Sequence, residues 1–324
     1  MRVLVTGAAG FLGQRLIAAL LEGRPDRAAV ARVVGADLAA PPAQDPRVEA
    51  RAGTITDPGF VASLFERHVD IVYHLAAVVS GEAEADFDRG MQVNVDGTRA
   101  LLEACRRLAR PPRFVFASTI AVFGGPLPPL VPDDLSPRPQ SSYGAEKVIG
   151  EVLVAEYSRR GFVDGIAVRL PTVAVRPGTP NAALSSFVSG IVREPLAGID
   201  AVCPVPLDMR LWISSPDAAT ENLARAGFIS GRLLGSHRIV NLPGLTVTAG
   251  QMLDALARIG GAAARARVRC EPDPRVTRIV GSWADTLDVS RALRLGFHVD
   301  SDVDAVVHQF VRSTLSPPQR SPSG

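Results

Sequence analysis

Over the first half of the chain, short runs of β-branched and other apolar residues alternate with longer stretches whose apolar positions recur at helical spacing. RVLVTG, starting at Arg2, reads as a buried strand, and GFLGQRLIAALLEG as an amphipathic helix that Gly23 stops. ARVVGADL predicts a second strand and VDIVYHLAA a later one. DRGMQVNVDGTRALLEACRRLA predicts one long helix, RFVFAST a strand, and SYGAEKVIGEVLVAEYSRRG a helix ending at Gly161. GIAVRL and HRIVNLPG are further strands. Such alternation predicts an α/β fold, a doubly wound parallel sheet with helices on both faces. From Pro171 onward prolines and glycines multiply and the elements become short and mixed, which predicts a smaller, interleaved C-terminal domain. The expected division is residues 1–172, with about 212–246 returning to the first domain, against 173–211 and 247–324. There is no internal repeat and no block of like charge.

Composition narrows the partners. The chain has 324 residues, enough for one large domain or two coupled ones. A net charge of +2 gives no electrostatic case for a nucleic acid or an anionic membrane as partner. Cys105, Cys203 and Cys270 are far apart in sequence and odd in number. They form neither a metal spacing nor a disulfide framework, so no metal is expected and a reducing compartment is. No apolar run approaches the ~20 residues of a membrane span. The first strand leaves no room for a signal peptide, so a cytoplasmic protein is expected. The tail SPPQRSPSG is polar and proline-rich, and fraying is expected there.

Two places carry chemistry. Gly7, Gly10 and Gly13, with Phe11 and Leu12 between them, join the first strand to the first helix as G-x-x-G-x-x-G. Glycines permit the tight turn and the close backbone approach that seat a pyrophosphate on a helix N-terminus. Asp37 ends the second strand, where a carboxylate accepts hydrogen bonds from ribose hydroxyls and repels a 2′-phosphate, favouring NAD over NADP. The competing reading makes Asp37 a turn residue. Further on, Tyr143 and Lys147 stand four residues apart, on one face of a helix. A nearby ammonium favours the phenolate, so the tyrosine is expected to titrate below its usual ~10 and to serve as a proton acceptor for an alcohol.

Taken with these, TGAAGFLG, GTITD (Gly53 to Asp57), HLAA (His74 to Ala77), NVDGT (Asn94 to Thr98), ASTIAVFG (Ala117 to Gly124), YGAEK and DVSRALRLGF resemble the extended short-chain dehydrogenases/reductases, the NAD-dependent epimerase/dehydratase group. The resemblance covers most of the chain. It implies a Rossmann-type NAD-binding domain followed by a substrate domain, and a Thr–Tyr–Lys triad. By carry-over Tyr143 is the general base. Lys147 holds the nicotinamide ribose and lowers the tyrosine pKa. Thr119 hydrogen-bonds the substrate oxygen, with Ser118 as fallback. The same resemblance puts Asn94 beside the site, shaping it and its water, Leu75, Ala76 and Ala77 along the cofactor, Ile55 near adenine, and Pro171 and Val173 among the cofactor-binding residues. Thr54 stands where the family usually has aspartate.

Departures from the family narrow the reaction. Its 4,6-dehydratases carry an Asp-Glu pair after the catalytic threonine; here those positions are Ile120 and Ala121, against dehydration. Thr172 replaces an asparagine usual in sugar-nucleotide epimerases. The segment RLPTVAVRPGTPNAALSSFVSGIVREPLAG, with VCPVP and MRLWISSP, resembles NAD-dependent dehydrogenases of four-carbon sugar acids. That implies a carboxylate-binding cation, for which Arg176 and Arg210 are candidates, Arg210 first. Ser80, Asn181, Ser185 and Ser186 are candidate hydroxyl binders. The alternatives are an epimerase or dehydrogenase acting on another sugar acid or a sugar nucleotide, and a non-catalytic nucleotide-sensing protein, which the retained tyrosine and lysine count against. The resemblance also implies a homodimer formed through the helices containing Asn94 to Arg107 and Tyr143 to Arg160.

Overall fold

The structure, a computed structural model, describes residues 1–25, 27–179 and 185–314. The tail read as frayed lies outside them. Among the described residues twelve strands run in chain order: β1 (Arg2–Thr6), β2 (Arg32–Asp37), β3 (Val48–Ala52), β4 (Ile71–His74), β5 (Arg113–Thr119), β6 (Asp164–Leu170), β7 (Thr172–Val173), β8 (Ala201–Cys203), β9 (Arg210–Ser214), β10 (Ile239–Asn241), β11 (Leu245–Thr248) and β12 (Val268–Cys270). They belong to two units. The first comprises Met1–Pro171, Ala219–Pro243 and Ser282–His298; the second comprises Thr172–Ala218, Gly244–Gly281 and Val299–Gly324.

The first unit is built on a seven-stranded sheet in the order β10-β6-β5-β4-β1-β2-β3, parallel throughout. Its central strands are buried on both faces: Val3, Leu4, Val5, Val72, Tyr73, Phe114, Val115 and Phe116 are all 0% exposed, which is why their sequences read as unbroken apolar runs. The order reverses between β1 and β4, and the carboxyl ends of those neighbours deliver Gly7 and His74 to the same edge. β3, VEARA, escapes the hydrophobic pattern because it is a half-exposed edge strand with alternating charge.

The second unit holds two small sheets. One has the order β11-β9-β7, antiparallel between β11 and β9 and parallel between β9 and β7. The other pairs β8 with β12 in parallel and sets Cys203 in register with Cys270. Two cysteines far apart in sequence are therefore neighbours, both as free thiols, Cys203 buried and Cys270 exposed.

The division differs from the expected one in two segments. Residues 212–218 go with the second unit, because β9 pairs with β7 and β11 rather than with the large sheet. Ser282–His298 goes with the first, tied there by the proline-rich loop that precedes Tyr143. Val131 N donates to Thr286 O (2.9 Å), Asp288 N to Val131 O (2.8 Å), and Arg291 Nη1 to Asp133 (3.2 Å) and to Ile239 O (2.8 Å). The single helix expected over 88–109 is interrupted: Met91–Gly97 forms a π-helical segment between Phe87–Gly90 and Thr98–Arg106. No described helix is long and apolar enough to cross a membrane.

Inside the first unit the helix Ser142–Arg159 is bound to the sheet by a buried ion pair. Arg169 on β6 forks onto Glu151, Nε to Oε1 at 2.8 Å and Nη2 to Oε2 at 2.7 Å, and Ser118 Oγ donates to Oε1 at 2.5 Å. The two charged side chains are 3% and 1% exposed. Removing one partner of such a pair leaves an uncompensated buried charge, at a cost of about 3–5 kcal/mol. Arg169→Met is therefore expected to lower the urea midpoint of unfolding strongly; a midpoint equal to that of wild type would show that Glu151 does not depend on it.

Candidate active site

The turn after β1 requires its glycines. Gly7 has φ +72°, and a Cβ on it would lie 2.7 Å from Ala76 N in the loop after β4. A Cβ on Gly13 would lie 2.1 Å from Gly7 O. The helix Phe11–Leu21 then starts at Gly10 with no side-chain cap and no acidic residue in its first turn. Its leading N–H groups and the positive end of its dipole are thus available to an anion. Asp37 at the end of β2 accepts from Ala9 N (2.9 Å) and Leu38 N (2.7 Å), so the carboxylate holds the turn as well as presenting free lone pairs. These residues fit the pyrophosphate and ribose of a dinucleotide. Phe11 and Leu12 are half-buried at the helix start. Leu75, Ala76 and Ala77 follow β4 directly, and Ala76 N donates to Thr6 Oγ1 (3.3 Å). Ile55 is 6% exposed and is packed in the core of this unit. Thr54 pairs with Thr56 through their hydroxyls at 2.8 Å.

Ser141 caps the helix Ser142–Arg159, its Oγ accepting from Gly144 N (3.2 Å). The first turns of that helix carry Tyr143 and Lys147. Lys147 is 2% exposed; its Nζ donates to Ala117 O (2.9 Å) and stands 4.7 Å from the centre of the Phe116 ring and 5.6 Å from that of Tyr143. The helix can approach β5 this closely because position 150 is glycine: a Cβ there would lie 2.4 Å from Phe116 Cζ. Burial lowers the Lys147 pKa to about 8, opposed by the carboxylates of Glu146 and Glu151. At neutral pH the lysine is a buried cation. Tyr143 departs from the expectation. Burial first, and the charge of Glu146 second, push its phenol up to about 12, so the ammonium does not by itself bring the phenol toward neutrality.

The two hydroxyls at the end of β5 separate cleanly. Ser118 is 3% exposed and committed to Glu151. Thr119 is half-buried at the strand's end, and its Oγ1 accepts from Ala121 N (3.1 Å), leaving its proton available. Of the pair, Thr119 is the one free to donate.

Asn94 also departs from the expectation. Its side chain is consumed by protein: Oδ1 accepts from Val78 N (2.8 Å), and Nδ2 donates to Val78 O (3.0 Å) and to Glu146 Oε2 (2.6 Å). It pins the loop after β4 to the helix that carries Tyr143, with neither N–H left for a water. His74, quoted above only within its motif, belongs to the same scaffold. Thr98 Oγ1 donates to Asn94 O (2.6 Å), so it must accept from His74 Nε2 (2.8 Å), and His74 Nδ1 then accepts from Thr6 Oγ1 (2.8 Å). This order fixes a neutral imidazole with its proton on Nε2. Spacing gave one hint of it: Asn94 and Thr98 are a helical turn apart.

Of the remaining candidates, Ser80 opens the helix Ser80–Ala85, Pro171 ends the first segment of the first unit, and Val173 lies in β7. In the second unit Arg176 is half-buried. Its N donates to Ser189 Oγ (3.0 Å), and Arg193 Nη1 donates to its carbonyl (2.8 Å). Burial, and then the Arg193 charge, hold the Arg176 guanidinium below the usual arginine range. Arg210, at the start of β9, is exposed. Ser185 and Ser186 stand at the start of the helix Ser186–Leu196, and Asn181 lies outside the described residues. Among the described residues no group of three or more His, Cys, Asp or Glu could hold a metal ion.

The buried imidazole makes stability depend on pH. Burial, then the Lys147 charge, lower the His74 pKa from 6.5 to about 3. Between these values the unfolded chain binds a proton that the folded chain refuses. Stability present above pH 6.5 is therefore lost as pH falls toward 3. His74→Gln is expected to flatten that part of a plot of unfolding free energy against pH; an unchanged slope would exclude His74 as its source.

Residues 3–220 match the NAD dependent epimerase/dehydratase family. The D-erythronate dehydrogenase of Cupriavidus necator is 50% identical over 319 residues, covering 96% of this chain and 98% of its own length. That of Haemophilus influenzae is 44% identical over 313 residues, covering 96% and 99%. A crystal structure described as a nucleoside-diphosphate-sugar epimerase from Agrobacterium tumefaciens superposes with a TM-score of 0.92 at 41% identity, covering 97% of this chain and 94% of that one. With a seven-stranded parallel sheet, a glycine turn shaped for a dinucleotide and a tyrosine–lysine pair on one helix, the chain belongs to the NAD-dependent epimerase/dehydratase family.

Proposed function

We propose that this protein oxidises the C2 hydroxyl of D-erythronate to 2-dehydro-D-erythronate with NAD. The observation that carries this reading is its 50% identity, over nearly the whole of both chains, to a D-erythronate dehydrogenase. The triad residues supply compatible chemistry. Tyr143, ionised where the Lys147 ammonium and the oxidised nicotinamide together offset its burial, accepts the C2 hydroxyl proton. Thr119 donates a hydrogen bond to the same oxygen as negative charge develops on it. Lys147, cationic and dry, favours the phenolate and binds the nicotinamide ribose. NAD, when bound, supplies the acceptor for the hydride leaving C2. Asp37 selects it over NADP by accepting from the ribose hydroxyls.

For the substrate carboxylate the surroundings favour Arg176 over Arg210, reversing the order taken from sequence. A half-buried guanidinium, its charge penalised by burial, gains more from an incoming anion than an exposed one does. The name of the Agrobacterium structure favours a second reading, epimerisation of a sugar nucleotide. Free NADH accumulating during turnover supports oxidation, whereas inversion of a substrate without net NADH supports the second reading.

Tyr143→Phe is expected to keep NAD affinity and lose roughly 10²–10⁴-fold in turnover. Near wild-type kcat would remove Tyr143 as the base. Arg176→Ala is expected to lower kcat/KM for D-erythronate about 30-fold to several thousand-fold, the equivalent of roughly 2–5 kcal/mol, while sparing a neutral four-carbon polyol. A loss in Arg210→Ala instead would restore the first ranking; no loss in either would remove the arginine clamp. A homodimer through the helix Ser142–Arg159 is also proposed, since Val152 is 60% and Ile149 38% exposed on it. Light scattering should give twice 34.2 kDa for wild type and a smaller mass for Val152→Glu; a wild-type monomer would overturn the proposal.

A further inference from the structure

Between Tyr143 and Lys147 the helix carries a third ionisable residue that the triad does not use. Glu146 is 1% exposed, as deeply buried as the lysine next to it. Its Oε2 accepts from Asn94 Nδ2 at 2.6 Å. Its Oε1 is buried and has no hydrogen-bond partner among the described residues. The space for that oxygen exists only because residue 90 is glycine: a Cβ there would lie 2.3 Å from Oε1. A carboxylate placed this way, in a cleft shaped for it, with half its hydrogen-bonding capacity unmet, costs stability. Packing does not explain it, since an apolar side chain would fill the same cleft without that cost.

The surrounding charges show what it acts on. On its own helix its neighbours are Lys147, which follows it, and Tyr143, one turn earlier. Glu151, one turn later, is already neutralised by Arg169 from β6. From the helix Ser80–Ala85, Glu84 reaches the N-terminus of the same helix, accepting from Ser142 N at 3.0 Å. Asp88 and Arg89 flank Gly90 but are exposed. His74 on β4 is held neutral. Lys147, the next residue, and Tyr143, one turn earlier, are thus the buried groups on which the Glu146 charge acts.

Resting on the reading of Tyr143 as the base, we propose that Glu146 is a positioning residue for the oxidation: its carboxylate clamps Asn94 and sets the charge that Tyr143 and Lys147 feel. It touches neither substrate nor cofactor. One negative charge acts in opposite senses on the two groups it faces. It holds the proton on Lys147, keeping the cation in place, and it holds the proton on Tyr143, keeping the phenol neutral until substrate and cofactor are assembled. Burial raises the Glu146 pKa, opposed by Asn94 and Lys147, so the negative charge is lost on acidification while Oε2 can still accept from Asn94.

The test is the pH profile of kcat/KM for D-erythronate in wild type, Glu146→Gln and Glu146→Asp. Without the negative charge, both phenol and ammonium lose their protons more easily. Glu146→Gln should therefore slide both limbs to lower pH, by about one unit for a charge at this range. Glu146→Asp keeps the charge and should leave both limbs near their wild-type positions. A residue that only filled space would lower the profile without sliding it. An activity-independent measurement runs beside this one. The chain has three tyrosines, so the Tyr143 component of a phenolate absorbance titration can be identified by its loss in Tyr143→Phe. That component should move down in Glu146→Gln by about the same amount.

Coincident limbs and coincident titrations in wild type and Glu146→Gln would overturn the proposal. So would a slide of about one unit in Glu146→Asp, an outcome that decides by itself if the glutamine variant does not fold. Absence of D-erythronate turnover in wild type would instead strike the proposed function, and the phenolate titration would still decide the role of Glu146.

Discussion

A buried ammonium is the constraint around which the first unit is arranged. A cation taken out of water is tolerated only where the protein replaces its hydration and its counter-charge. For Lys147 the replacements come from three directions: the Ala117 carbonyl at the end of β5, the face of Phe116, and the carboxylates of Glu146 and Glu151. Each brings a requirement of its own. Glu151 needs Arg169, which fastens the helix to β6. Glu146 needs Asn94, which fastens it to the loop over Val78. Asn94 sits in a π-helical segment whose carbonyl is tied through Thr98 and His74 to Thr6 on β1. One charge thus accounts for a set of contacts linking both halves of the sheet.

The same arrangement explains why the phenol is not simply pulled down by its lysine neighbour. Two effects oppose the ammonium. Burial penalises any anion at Tyr143, and Glu146 adds a repulsive charge one helical turn away. The ammonium is itself weakened by burial. The balance favours a neutral tyrosine beside a cationic lysine.

Patterns of one or two residues could be read from the sequence; arrangements spanning several elements could not. The sheet was visible because its central strands are buried on both faces, and the glycine turn because nothing else fits where Ala76 passes Gly7. Tyr143 and Lys147 were visible through their spacing. β3 was not, since a half-exposed edge strand has no apolar run. The π-helical segment was not, because NVDGT has nothing to distinguish it from an α-helix until Asn94 finds Val78 and Glu146. Glu146 read as one more charge on a helix face; only the fold shows that the face is inside. The exchange of 212–218 for Ser282–His298 between units depends on β9 choosing β7 and β11, and on a proline loop choosing Thr286, which are pairings between distant segments.

The chain passes between its two units in six alternating segments, and this has a consequence during synthesis. β10, the strand that covers β6, begins at Ile239, while β6 ends at Leu170. At about 5–20 residues per second, the ribosome takes several seconds to make the stretch between them. Through that interval the nascent sheet ends in β6, with its ladder groups unpaired and its apolar residues already in place. The first unit cannot close until part of the second has been made, so the stretch from Leu170 to Ile239 is where a growing chain is most open to pairing with a neighbour and most in need of a chaperone's cover.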